Sequence, residues 1–382
     1  MRTFQRTSSS RSQVRHKWRG IPRGARRFSA DPAALLQCRE TLVGARDVTP
    51  NLVELIRCPV CLAEGQFHVH AAEHDESEML KGNIVCADCN ESYEVRDGYC
   101  DLLRNLSPQV IQERAAQSVI EARELSQGGF AGVSLETERA AVLNLPSGHP
   151  EAEEHAPLVR YAIECLGLTG NETVLDLGAG LCWTTAWFAG RGCRCVAVDI
   201  HANVLACARH HAAAGVQFDR ILADMGDLPL VSGAMDVVFA NAALHHCMDL
   251  EGTLHGIARV LRPGGRCVLV NEPVVGVFER RRKKQFGLDA RRDGINERAY
   301  GIQEWRHAFE RAGLRARFEI AAEGIAEKIG RRRGLPAYQG FPKREMLRVF
   351  AVPAVRNAVL RWCQGPLRFL YPFNVVVWAR KP

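Results

Sequence analysis

The sequence predicts an α/β fold, an open and mostly parallel sheet preceded by a small cysteine-ligated domain, and three observations carry it. Thr173 to Gly180 reads TVLDLGAG, an apolar run that stops at an acid and two glycines. A buried parallel strand has this form, and the glycines let the backbone turn tightly and approach a ligand closely. A second run, CRCVAVDI, ends on Asp199, an acid at a strand tip. Further upstream, Cys58-Pro-Val-Cys61 and Cys86-Ala-Asp-Cys89 stand 24 residues apart, a spacing that lets four thiolates converge on one zinc.

The order continues with RILADMGDLPL, MDVVFANAALHH and RVLRPGGRCVLVNEP. Together with the two acid-tipped runs, these five motifs resemble the class I S-adenosylmethionine-dependent methyltransferases. Within that class the nearest group is the ubiquinone and menaquinone C-methyltransferases with many small-molecule and sugar O-methyltransferases. The resemblance covers roughly residues 155 to 320. It implies a seven-stranded Rossmann-like sheet, mostly parallel with one antiparallel strand.

Composition bounds the rest. A chain of 382 residues with 47% hydrophobic content can bury a large core, and its length suggests two or three domains. No apolar run is long enough to span a bilayer. Several of the 14 cysteines, among them Cys165, Cys193, Cys195, Cys207 and Cys267, lie inside apolar periodic segments, which argues for a reducing, cytoplasmic setting and against a disulfide framework. Residues 1–30 hold nine Lys or Arg and no acid; subtracting those nine from +7 leaves −2 for residues 31–382. This basic head reads as a disordered extension, the alternatives being an organellar transit peptide or an arm for nucleic acid.

Residues 50–106 form the expected zinc ribbon, with Cys58, Cys61, Cys86 and Cys89 as its ligands. A closed four-cysteine site is structural, because it keeps no open position for chemistry. His68, His70 and His74, between the pairs, read as exposed loop residues. ESYEVRDGYCDLL after the second pair is similar to the end of the zinc-ribbon domains that partner or precede methyltransferases, including activator subunits, so a protein partner through the ribbon is one implied role. Residues 107–150 read as a helical connector, with a helix from Ser107-Pro108 to about Leu125, broken by the glycines at 128–132. A helix from Glu151 to Leu166 then leads into a catalytic domain spanning 151–382.

In that domain Asp176 is placed to hold the ammonium of the methionine moiety, with Gly178 and Gly180 allowing close backbone approach. Cys182 stands where many family members have a third glycine. Asp199 is placed to accept from the ribose hydroxyls; the resemblance implies that Asp224 accepts from the adenine amine while the Met225 amide donates to the ring. Asn241 ends strand four at the ligand crevice. His245, His246 and Glu272 lie near it as candidate bases, with His246 favoured. If the segment stays extended, the two adjacent histidines point to opposite sides.

Two insertions follow, at 274–300 and 323–370. Their basic clusters, Arg280 to Lys284 with Arg291 and Arg292, then Arg331 to Arg333 with Lys343 and Arg344, suit an anionic acceptor or else form a solvated face. Met346 to Trp362 mixes apolar residues with arginines and would suit an active-site cover or peripheral membrane contact. FNVVVWARKP reads as the last strand. The function implied is methyl transfer from S-adenosylmethionine to an oxygen of a small molecule, sugar or lipid-linked glycan. An RNA methyltransferase using the ribbon is the alternative, and a non-catalytic scaffold protein the alternative from another class.

Overall fold

The computed structural model describes residues 52–74, 79–104, 106–116, 134–275, 286–292, 294–320, 352, 354–355, 358 and 375–382. The basic head, Arg280 to Lys284, Arg331 to Arg333 with Lys343 and Arg344, and nearly all of Met346 to Trp362 lie outside the described residues.

The ribbon is a meander of β1 (Phe67–His74), β2 (Met79–Cys86), β3 (Ser92–Arg96) and β4 (Tyr99–Asp101), each antiparallel to the next. Asp97-Gly98 joins the last two, both residues at positive φ (46° and 73°), the twist a two-residue hairpin needs. His68 and His70 are exposed as read, but on edge strand β1 and not in a loop.

The connector helix α1 (residues 108–116) starts where expected, with the Ser107 hydroxyl accepting from the Val110 amide at 3.3 Å. Its expected continuation lies outside the described residues. A further helix, α2 (Leu135–Asn144), follows Ser134, whose hydroxyl caps the Thr137 amide. Helix α3 (Pro150–Leu166) begins one residue earlier than read from the sequence and ends on Gly167 in the left-handed conformation.

The central sheet alternates β5 (Thr173–Leu177), α4 (Trp183–Ala189), β6 (Arg194–Asp199), α5 (Ala202–Cys207), α6 (Arg209–Ala212), β7 (Asp219–Leu222), β8 (Met235–Asn241), α7 (Leu250–Val260) and β9 (Leu261–Val270). After the short β10 (Val274–Val275), α8 (Leu288–Arg292) and β11 (Tyr300–Gly301) come α9 (Ile302–Arg311), β12 (Arg315–Ile320) and β13 (Val375–Arg380).

The seven strands of the expected sheet are present in the order β7-β6-β5-β8-β9-β13-β12, with β13 antiparallel to both neighbours. The count of seven is nevertheless wrong for the sheet as a whole. β4 pairs in parallel with β7, through Cys100 with Ile221 and Asp101 with Leu222, so the ribbon extends the sheet to eleven strands. The physical reason is an open edge: β7 has unpaired amides and carbonyls on its outer side, and β4 satisfies them.

The fifth strand also starts earlier than read. Arg262-Pro-Gly-Gly lies inside β9 and not ahead of it: pairing with β8 jumps from Leu261 to Arg266 as β8 advances from Met235 to Val237, and Gly264 takes a positive φ of 78° there.

Alternation within the strands builds two cores. Leu175, Leu177, Val196 and Val198 face the side covered by α7, α9 and the ribbon, while Val174, Cys195 and Ala197 face α3, α4 and α5. Helix α7 shows how a neighbour meets that demand. Asp249 caps it, and Leu250, Leu254, Ile257 and Val260 recur at three- and four-residue spacing and are buried.

Candidate functional site

The four cysteines meet. Their sulfurs all lie within 4.8 Å of one another, with Cys58–Cys89 at 3.7 Å and Cys61–Cys86 at 3.6 Å. Four sulfurs bonded tetrahedrally to zinc at about 2.3 Å stand about 3.8 Å apart, so the donor set fits that ion. Burial alone would raise the Cys58 thiol, but bonds from the Cys61 amide and the Tyr93 hydroxyl, the latter at 2.9 Å, outweigh it and hold the thiol at about 6.

This knuckle is tied to the central sheet as well as to its own meander. The Arg57 amide donates to the Pro229 carbonyl, the Val231 amide to the Leu55 carbonyl, and Glu64 accepts from the amide and hydroxyl of Ser232 at 3.0 and 2.7 Å. The ribbon therefore holds the segment that follows Asp224.

The glycine loop closes over the tips of β5 and β6. The amides of Gly178 and Ala179 both donate to the Val198 carbonyl, and the Gly180 amide donates to Asp199 Oδ2 at 2.8 Å. Asp199 Oδ1 accepts from the His201 amide at 2.9 Å. Each carboxylate oxygen has a second lone pair, so these bonds fix the group while leaving capacity for a ligand hydroxyl. Gly178, at φ 70°, has no room for a side chain, because a Cβ would fall on that of Ala243. Gly180, at φ 53°, faces open space. Cys182 holds a left-handed conformation (φ 58°) while buried, which is the backbone reason glycine suits that place.

Asp176 lies beneath the loop at 1% exposure, its Oδ2 accepting from the hydroxyls of Thr184 and Thr185 at 2.5 and 2.6 Å. Burial raises its carboxyl to about 6 despite those bonds. Asp224 and Met225 are half-buried at the end of β7, with Asp224 Oδ1 accepting from the Gly226 amide at 2.8 Å; burial raises the Asp224 carboxyl.

Gly178, Gly180, Thr184, Asn241 and Ala242 line a cleft of about 220 Å³, walled on its far side by His149, Glu151 and His155 around the start of α3. Asp176, Asp199, Asp224 and Met225 do not line it.

At the tip of β8, residues Leu244–His246 form a single 3₁₀ turn, so the segment does not stay extended and the condition for opposed histidines is not met. Neighbouring residues in such a turn can share a side, and the two imidazoles lie with ring centroids 4.1 Å apart. Glu272 explains the turn. Its Oε1 accepts from the amides of Ala243 and Leu244 at 2.9 and 3.0 Å, and its Oε2 accepts from the His245 amide at 3.1 Å and His245 Nδ1 at 3.0 Å. Burial would raise the Glu272 carboxyl, yet the His245 ring and these amides hold it below the usual carboxylate range. Both oxygens are committed, so Glu272 orients its neighbours more readily than it takes a proton.

His246 Nδ1 lies 3.0 Å from the Asn296 carbonyl and 3.6 Å from Glu113 Oε1. The Asn296 amide donates back to the carbonyls of His246 and Cys247 at 2.8 and 2.9 Å. A carbonyl only accepts, so Nδ1 carries the hydrogen and Nε2 keeps its lone pair. Burial opposes a charge on His246, but Glu113 and the Asn296 carbonyl outweigh it and raise its pKa.

Sequence reasoning missed Thr184, Thr185, Glu113, Asn296 and the α3 wall. The two threonines follow Asp176 by eight and nine residues and were legible as a hydroxyl pair opening a helix. Glu113 and Asn296 lie 133 and 50 residues from His246 in the chain, and no local pattern marks them.

Residues 175–269, which run from β5 through the glycine loop to β9, match the family model described as the methyltransferase domain. The chain is 36% identical over 110 residues to a demethylmenaquinone methyltransferase of Mycolicibacterium vanbaalenii, covering 29% of this chain and 46% of that protein. A demethylmenaquinone methyltransferase of Tropheryma whipplei is 35% identical over 112 residues, covering 29% and 46%. The chain thus spans about half the length of the curated relatives it matches. Among solved structures, the YcgJ protein of Bacillus subtilis aligns over 59% of this chain and 99% of its own at 19% identity, with a TM-score of 0.42.

The clearance at Gly178 gives a direct test of the loop. Gly178→Ala should cost about 2–4 kcal/mol through a strained φ and the overlap with Ala243, whereas Gly180→Ala should cost about 1 kcal/mol from φ alone. Thermal denaturation of the two variants checks this. Equal losses would mean that backbone conformation, and not the close approach to Ala243, limits the position.

Proposed function

We propose that the protein transfers the methyl group of S-adenosylmethionine to a hydroxyl of a small molecule, sugar or lipid-linked glycan. The observation that carries the reading is the 3₁₀ turn beside the glycine loop, where Glu272 and the Asn296 carbonyl engage the Nδ1 atoms of His245 and His246, an arrangement that leaves each Nε2 to accept a proton. Asp199, Gly178 and Gly180 would hold the cofactor, with Asp224 and Met225 at its adenine end. Asn241, Asp176 through the loop it supports, and the α3 wall would serve the methionine end. The cofactor supplies an activated methyl carbon; the chain supplies orientation and a base.

His246 is the base in this reading, because Asn296 fixes its tautomer and its side chain is 36% exposed against 9% for that of His245. The zinc proposed at Cys58, Cys61, Cys86 and Cys89 is structural. No helix among the described residues is long and apolar enough to cross a membrane, so any lipid-linked acceptor would be met at a surface. The curated relatives are named demethylmenaquinone methyltransferases, and the match covers 46% of each; the acceptor proposed here rests on the histidine turn.

Incubating the protein with methyl-labelled S-adenosylmethionine and fractionated metabolites tests the activity. With the labelled acceptor in hand, His246→Ala should lower turnover about 10²–10⁴-fold while cofactor affinity stays unchanged. Near-normal turnover in both His246→Ala and His245→Ala would remove base catalysis by this pair. Failure of the purified protein to bind S-adenosylmethionine would leave a scaffold role.

A further inference from the structure

Glu113 has no part in the reading above and no neighbour in sequence that explains it. It sits on α1, outside the matched methyltransferase domain, yet is only 8% exposed. A carboxylate is buried at a cost unless a partner offsets it, and the ion pair to His246 Nδ1 at 3.6 Å is that partner. The helix is brought there by close packing on the loop before Asn296. Gly294, at φ 93°, approaches so closely that a Cβ would lie 3.2 Å from that of Ala116 and 3.5 Å from the Gln112 amide nitrogen. Val110, one turn before Glu113, is 3% exposed. One face of α1 is thus pressed against the insertion that clamps His246.

The charges around His246 leave one vacancy for this carboxylate to fill. Among the described residues these groups are Glu113 on α1, Glu272 beyond β9 and His245 in the same turn, with Asp224 within electrostatic reach of Glu113. Glu272 is already matched by three amides and the His245 ring. The Asn296 carbonyl fixes the tautomer but carries no charge. Among the described residues, Glu113 is the carboxylate left to balance a positive charge on His246.

We propose that Glu113 is a positioning residue for His246: supplied by the connector helix from outside the methyltransferase domain, it holds the imidazolium that forms when His246 accepts the acceptor's proton. The proposal rests on the methyl-transfer reading above. In the step it serves, the acceptor O–H bond breaks and its proton passes to Nε2, while the oxygen's electron pair forms the bond to the methyl carbon. The carbon–sulfur bond breaks with its electrons left on sulfur, which turns from sulfonium to thioether. One positive charge thereby moves from sulfur to the imidazole ring, and Glu113 faces the ring's opposite nitrogen.

The test follows the His246 ring by NMR in full-length protein labelled at histidine Cε1, with His246→Gln assigning the signal. The wild-type midpoint should lie above the ordinary histidine value of about 6.5. Glu113→Gln should lower it by about one pH unit, as expected on losing an opposite charge at this range, and Glu113→Asp should restore part of the shift. A wild-type midpoint at or below the ordinary value overturns the proposal even if the variants do not fold. So does an unchanged midpoint in folded Glu113→Gln. Turnover separates this from the base reading: if His246→Ala keeps normal turnover, the base assignment fails while the measured pairing stands, whereas with the assignment intact Glu113→Gln should lower turnover about tenfold, one pH unit in free-energy terms.

Discussion

Cys86→Ser protein is expected to purify without zinc and to unfold at a temperature at least about 10 °C lower than the parent, which should carry one zinc per chain. The size follows from two magnitudes. Structural zinc sites contribute on the order of 10 kcal/mol to small domains, and even half of that would move the midpoint of a domain of about 200 residues by about 10–20 °C. The loss should not stay in the ribbon. β4 completes the edge of β7, and the knuckle bonds to residues 229–232, so the segment after Asp224 loses its support as well. Elemental analysis and thermal denaturation, with exposed Cys165→Ser as the control, decide it. A parent protein without zinc, or a Cys86→Ser variant that retains it, would refute the site.

Asp199→Ala is expected to weaken S-adenosylmethionine binding about 100-fold. Hydrogen bonds to a charged group contribute about 1.5–3 kcal/mol each, and this carboxylate has two duties. It would accept from the ribose, and it already holds the Gly180 amide at 2.8 Å and the His201 amide at 2.9 Å. Asp199→Asn separates them: one side-chain oxygen remains to accept from a backbone amide, while the charge and one acceptor site are lost, so an intermediate affinity is expected. Titration calorimetry on the three proteins is the measurement. Unchanged affinity in Asp199→Ala would mean that the acid serves the loop alone and the cofactor reading of β6 is misplaced.

The elements most legible in the sequence are those whose cause is local. TVLDLGAG announced β5 and its loop because a buried parallel strand is a continuous apolar run and a tight turn demands glycine. The helix starting at Ser107-Pro108 and the one ending at Leu166 were legible for equally short-range reasons. The four cysteines were readable because a knuckle places its two ligands three residues apart. His245 and His246 were found but their relative orientation stayed conditional, since the turn they share is held by Glu272, 27 residues from His245. Tautomer and charge at His246 come from Asn296 and Glu113, and neither leaves a trace in any local window.

The sequence by itself determined the class of fold, the strand tips that carry the acids and glycines and the four clustered cysteines, because spacing and periodicity act over a few residues and survive in one dimension. The tertiary structure alone decided that the ribbon is the sheet's outer edge, that Asp176 supports the loop from beneath it, and that a helix outside the matched domain lends its carboxylate to His246. Those outcomes depend on which unpaired strand edge and which buried charge find a partner across the fold. Pairing of that kind is settled by packing in three dimensions, and the chain carries no short-range pattern for it.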